Sequence, residues 1–124
     1  MDVLYYQAKN YMAEKPCWLL VYDVLVSECG ITQIVCKTVT GSIRAAASAF
    51  RVELAKGSHG FEQVEEPADF TVVLMGKSDK VGIHHAGIYY GGKVLHACPN
   101  GTLHQDLSSL GDEYRLMEFW RRAE

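Results

Sequence analysis

The spacing of apolar and polar positions divides the chain into a helical opening and a strand-rich remainder. Val3, Leu4, Tyr6, Tyr11 and Met12 stand among polar neighbours in residues 2–14, a loosely helical pattern. Lys15-Pro16 ends that helix and begins another, because the residue before proline is pushed out of the α region while proline suits a first helical turn. The second helix, about Pro16 to Glu28, is apolar nearly all round, which predicts burial on most sides, and Gly30 suits its C-terminal stop. Ile31 to Val39 predicts a short strand or an extended connection. Ser42 is expected to cap an alanine-rich packing helix that ends at Gly57. Ser58 to Glu66 is polar and loop-like, with His59 a solvated loop residue. Phe70 to Met75 predicts a strand, Asn100-Gly101 a turn, and Tyr114 to Trp120 a closing strand.

Between these lies VGIHHAGIYYGGKVLHACP, Val81 to Pro99, which predicts a β-hairpin with Gly91-Gly92 as its two-residue turn. That turn sets Tyr90 opposite Lys93, Ile88 opposite Leu95 and Gly87 opposite His96. Residues two apart on a strand share a face, so His85 and His96 become diagonal neighbours, while His84 is expected on the other face. Gly87 leaves the space between the two imidazoles open.

With 124 residues, 48% of them apolar, the chain suits one globular domain, residues 1–124. A formal net charge of -3 and no basic stripe argue against nucleic acid as a partner. No stretch is apolar and long enough to span a bilayer, and MDVLYYQAKN has no signal-peptide character, so synthesis in the cytoplasm is expected. Of the four cysteines, Cys17, Cys29, Cys36 and Cys98, none forms a C-x-x-C pair, and free thiols are expected. A zinc site assembled from scattered Cys and His is set aside because structural zinc sites usually have close ligand pairs. No metal or other cofactor is expected.

Cys17 falls in the first turn of the second helix, where unpaired backbone N–H groups and the positive end of the helix dipole favour thiolate over thiol. Cys29 and Cys36 suit the role of small core hydrophobes. A cysteine and two histidines from distant parts of the sequence meet the requirement for thiol-based acyl transfer. The thiolate attacks a carbonyl, one imidazole moves the proton, and a third polar group orients that imidazole.

PCWLLVYDVLVSECGI and HHAGIYYGGKVLHA resemble the two signature blocks of NlpC-type cell-wall cysteine peptidases, especially the short phage tail-associated forms, and EFWRR resembles the end of such forms. The resemblance runs from Pro16 to Arg121. It implies a papain-like α+β fold with a buried N-terminal cysteine helix packed on an antiparallel β-sheet. It also implies Cys17 as nucleophile, His85 as general base and acid, and His96 as the orienting third residue. A tyrosine upstream of the cysteine, near the oxyanion or substrate, implies Tyr5 or Tyr6. The chain departs from the family in having Pro16 before the cysteine and Leu19 two positions after it.

The function the resemblance implies is a phage or prophage peptidoglycan peptidase that hydrolyses a stem-peptide amide of the D-glutamyl to diamino acid type. Its expected partners are the stem peptide and phage tail-tip proteins, and its expected place is the virion tail, acting at the bacterial cell wall. Two alternatives stay open: a catalytically silent tail-tip assembly protein with the same fold, and an acyltransferase or amidase acting on another small amide.

Overall fold

Asp2 caps the first helix, α1 (Val3–Ala8), its carboxylate accepting from the Tyr5 backbone N–H at 3.2 Å. The computed structural model describes residues 1–9, 16–30, 61–80, 82–98 and 101–122, without the side chains of residues 16–19, 22 and 122. The strand or connection expected from Ile31, the helix expected from Ser42, and His59 lie outside the described residues, as do Tyr11 and Met12. The second helix, α2 (Pro16–Cys29), has proline at its first position and ends at Gly30, whose φ of 70° is the left-handed conformation that glycine adopts without strain.

Six strands follow: β1 (Phe61–Val64), β2 (Thr71–Gly76), β3 (His85–Tyr90), β4 (Lys93–Cys98), β5 (Gly101–Asp106) and β6 (Leu116–Arg122). A short helix, α3 (Leu107–Glu113), stands between β5 and β6. The strands form one sheet in the order β1-β6-β2-β3-β4-β5, and every neighbouring pair is antiparallel. All six residues of β2 are buried, as befits a strand covered on both faces. The β3–β4 hairpin has the register its sequence predicts, with Tyr90 opposite Lys93 and Ile88 opposite Leu95. Gly91 and Gly92 have φ of 62° and 84°, the positive values that a type I′ turn requires at both central residues.

Two hydrophobic clusters lie on opposite faces of this sheet. On one face Leu20, Val21, Val24 and Leu25 of α2 join Val72, Leu74, Ala86, Ile88 and Leu95. On the other, Val73, Met75 and Val94 pack with Leu110 of α3 and with Tyr114.

The architecture corrects the expected papain-like α+β arrangement with a buried N-terminal cysteine helix packed on an antiparallel sheet. The six-stranded antiparallel sheet dominates the described residues, beside helices of 6, 14 and 7 residues. The N-terminal helix, α1, has six residues, and its Leu4 and Tyr5 are 75% and 54% exposed. Among the described side chains of α2, burial follows one stripe, whereas Val26 and Cys29 are half-buried and Ser27 and Glu28 exposed. Apolar character predicts burial, but a surface helix tolerates apolar residues beyond the stripe it buries. Two further differences concern strands with little apolar content. Phe61–Val64 is a strand where a polar loop was expected; Phe61 is its buried residue, with Glu62 and Gln63 exposed at a sheet edge. β5 forms the opposite edge, with no fully buried residue.

Candidate active site

His85 opens β3 and His96 lies in β4. Alternation along the paired strands sets both on the face of Met75 and Val94, since Met75 is the direct partner of His85 in the β2–β3 ladder. The structure brings these two expected residues together, with His85 Nε2 2.8 Å from His96 Nδ1. The rings meet edge to face at 83°, with centroids 5.0 Å apart. Both are buried, His96 to 2% exposure. Gly87 makes the approach possible: a Cβ there would lie 2.8 Å from the Leu95 carbonyl oxygen and 3.1 Å from His96 Cβ.

A third residue extends the pair. Gln105 of β5 is opposite Val94 and therefore on the same face, and His96 Nε2 donates to its Oε1 at 2.6 Å. The amide oxygen is an acceptor, so the proton of neutral His96 sits on Nε2 and its Nδ1 offers a lone pair. His85 Nε2–H then donates to that lone pair, and His85 Nδ1 is left unprotonated. A hydrogen-bonded chain thus fixes the tautomer of both rings. Tyr114 fixes the plane of one, stacking on His85 at 15° with centroids 5.5 Å apart.

Burial pushes His85 down to about 3, with smaller contributions from neighbouring His96 and His84. Burial also lowers His96, opposed by its bond to Gln105. Both rings are therefore neutral at pH 7, the form in which an imidazole accepts a proton. Cys98 Sγ lies 3.3 Å from His96 Nδ1, and burial raises that thiol above its usual range. His85, His96 and Cys98 offer ligand atoms that all lie within 4.8 Å of one another.

The remaining expected residues lie elsewhere. The backbone of Cys17 is in the first turn of α2, and its side chain is outside the described residues. Tyr6 is buried, and its hydroxyl donates to Glu28 Oε2 at 2.8 Å; Glu28 stands near the C-terminal end of α2, roughly 16 Å along the helix from Cys17. Burial and the adjacent Glu28 carboxylate push the Tyr6 phenol up to about 12. Tyr5 is exposed, with the Lys9 ammonium 4.6 Å from its ring centre.

His84 precedes β3, so strand alternation does not govern it. It packs on the same Tyr114 at 5.6 Å rather than pointing to the opposite face, and its Nε2 accepts from the Lys77 backbone N–H at 3.1 Å. His104 of β5 bonds the Tyr90 carbonyl through Nε2 at 2.8 Å and, opposite Leu95, lies on the α2 face away from His96.

Gln105 is the site residue that sequence reasoning missed. The Asn100-Gly101 turn carried the signal. A strand returning from it places Gln105 beside His96 by the same parity argument that joined His85 to His96. No helix among the described residues is long and apolar enough to cross a membrane. In comparison with known proteins, the chain matches no family model, no curated protein and no solved structure.

Proposed function

We propose that this chain is a thiol-dependent amide hydrolase, with Cys17 as nucleophile, His85 as general base and acid, and His96 as the orienting residue. The observation that carries the reading is the chain His85–His96–Gln105, with contacts of 2.8 and 2.6 Å, which leaves His85 Nδ1 unprotonated. An imidazole held in one tautomer, with one nitrogen anchored and the other ready to take a proton, is what nucleophilic acyl transfer asks of its base. His85 Nδ1 takes the Cys17 thiol proton as sulfur attacks the amide carbon, and the same nitrogen then gives that proton to the leaving amine. Water, deprotonated by His85, releases the acid from the thioester and restores the thiol. His96 Nδ1 accepts from His85 Nε2–H throughout and supports the transient imidazolium.

The signature blocks PCWLLVYDVLVSECGI and HHAGIYYGGKVLHA support NlpC-type cell-wall chemistry for this reaction, with a peptidoglycan stem-peptide amide as substrate and delivery by a phage tail. Iodoacetamide labelling of the intact protein at neutral pH tests the nucleophile. Cys17 labels well ahead of Cys29, Cys36 and Cys98, and His85→Ala removes that lead. Equal labelling of the four thiols in the parent protein contradicts the assignment.

One observation favours a second reading. The buried stripe of α2 packs on the Ile88 and Leu95 face, whereas both imidazoles and Cys98 occupy the other. A non-catalytic tail-tip assembly protein, whose His–His–Cys cluster serves binding, uses that arrangement without requiring a thiol from α2. A parent protein whose Cys17 lacks enhanced reactivity supports this second reading.

A further inference from the structure

Cys98 has no task in the hydrolytic scheme, yet its sulfur lies against the nitrogen that links the two imidazoles. The three donor atoms come from adjacent strands of a rigid sheet, since His96 and Cys98 are two apart on β4 and His85 is on the neighbouring β3. We propose that His85, His96 and Cys98 form a binding site for one borderline or soft divalent metal ion of the zinc type, held through His85 Nε2, His96 Nδ1 and Cys98 Sγ.

The donor set selects that class of ion. Two imidazole nitrogens and a thiolate suit Zn2+, Co2+ and Cd2+, whereas Mg2+ and Ca2+ require oxygen ligands. The geometry is close to what such an ion needs. Bonds of about 2.1 Å to nitrogen and about 2.3 Å to sulfur, at tetrahedral angles, separate two nitrogens by about 3.4 Å and nitrogen from sulfur by about 3.6 Å. Two of the corresponding separations are 2.8 and 3.3 Å and all three donor atoms lie within 4.8 Å of one another, so side-chain adjustments of up to about an ångström admit the ion. Three protein ligands leave a fourth position for water.

The shell around the donors is already set for ligation. Gln105 holds the His96 proton on Nε2 and turns the Nδ1 lone pair into the cluster, the orienting bond that metal-bound histidines generally make with their second nitrogen. Tyr114 fixes the plane of the His85 ring. Binding moves the His85 proton from Nε2 to Nδ1 and displaces one proton, that of the Cys98 thiol, to solvent. The bound state carries one thiolate against the ion's two charges.

Metal and proton relay exclude each other, because the ion takes the place of the hydrogen bond between His85 and His96. Metal loading therefore silences hydrolysis. That consequence rests on the hydrolytic reading, whereas the site itself does not.

The test is a spectroscopic titration of chelator-treated, reduced protein with Cd2+ and Co2+, following thiolate-to-metal charge transfer in the ultraviolet. The parent protein binds one equivalent. Cys98→Ser abolishes the band, His96→Ala weakens binding by about tenfold or more, and Cys17→Ser leaves the band unchanged. Since Cys98→Ser can also fail to fold, labelling of the parent protein is measured in parallel: one equivalent of Cd2+ protects Cys98 from iodoacetamide and leaves Cys29 accessible. A parent protein without a one-equivalent band, a band that survives Cys98→Ser, or a Cys98 that Cd2+ does not protect overturns the proposal. Turnover enters none of these readouts, so the hydrolytic reading can fail while the metal site stands.

Discussion

The two faces of the sheet are built from different chemistry. Toward α2, Leu74, Ile88 and Leu95 meet Leu20, Val21, Val24 and Leu25, a contact made of hydrocarbon with every one of these residues at or below 1% exposure. Toward α3 and Tyr114, the same strands present His85, His96 and Cys98, and β5 adds Gln105. Because side chains alternate, one pair of strands supplies both faces. The candidate site lies on the second face, beside the fully buried Val73, Met75, Val94 and Leu110. On the polar face burial keeps both imidazoles neutral, and three of their four ring nitrogens have hydrogen-bond partners in the chain, His85 Nδ1 being the fourth.

The largest expected effect breaks the hydrocarbon face. Leu74→Ala leaves a cavity in a fully buried site and lowers stability by roughly 2–5 kcal/mol in denaturant unfolding. His96→Asn on the other face lowers it by about 1–2 kcal/mol, the range for disturbing one buried hydrogen-bonded group. Equal losses would mean that the two faces are not energetically distinct.

An intermediate effect follows from the close approach at Gly87, on the face of the two imidazoles. Gly87→Ala drives a methyl group against the Leu95 carbonyl oxygen and Val94 Cγ1, both at 2.8 Å, and toward His96 Cβ. Overpacking of this kind lowers stability by about 1–3 kcal/mol. The nitrogen–nitrogen contact between His85 and His96 lengthens with it, a change that imidazole nitrogen NMR shifts report.

The smallest effect per step is in the pH dependence of chelator-treated protein. His85 titrates near 6.5 in the unfolded chain and near 3 in the folded one, with burial the main cause and His96 and His84 adding to it. Between those values the unfolded chain binds a proton that the folded protein does not. Stability is therefore fully present above about 6.5 and falls as pH drops toward 3, by at most about 1.4 kcal/mol per unit. His96, also lowered by burial, acts in the same direction. His85→Leu flattens the slope in this window; an unchanged slope would place the titration elsewhere.

The hairpin was legible because its information is local. A Gly-Gly turn fixes the register, and register with strand alternation dictates that His85 and His96 meet. What was not legible depends on partners distant in sequence. Glu62 and Gln63 belong to a strand because β6 pairs with them, and their own polarity suggests a loop. α3 buries Leu110 and contains Gly111, too little pattern to announce a helix. Gln105 looked like one more polar residue in GTLHQD until β5 paired with β4. For the described side chains of α2 apolar content overstates burial, for the converse reason that a helix rich in apolar residues can still bury a single stripe. His84 was misplaced because the strand begins one residue after it.

Digestion of purified muropeptides with mass analysis of the products tests the central claim that the chain His85–His96–Gln105 serves a thiol nucleophile. The account predicts that chelator-treated, reduced parent protein releases fragments cut at one stem-peptide amide. Cys17→Ser and His85→Ala release none, His84→Ala stays close to the parent, and His96→Asn retains part of the rate that His96→Ala loses. An inactive parent protein, or cleavage that persists in Cys17→Ser or His85→Ala, would contradict it.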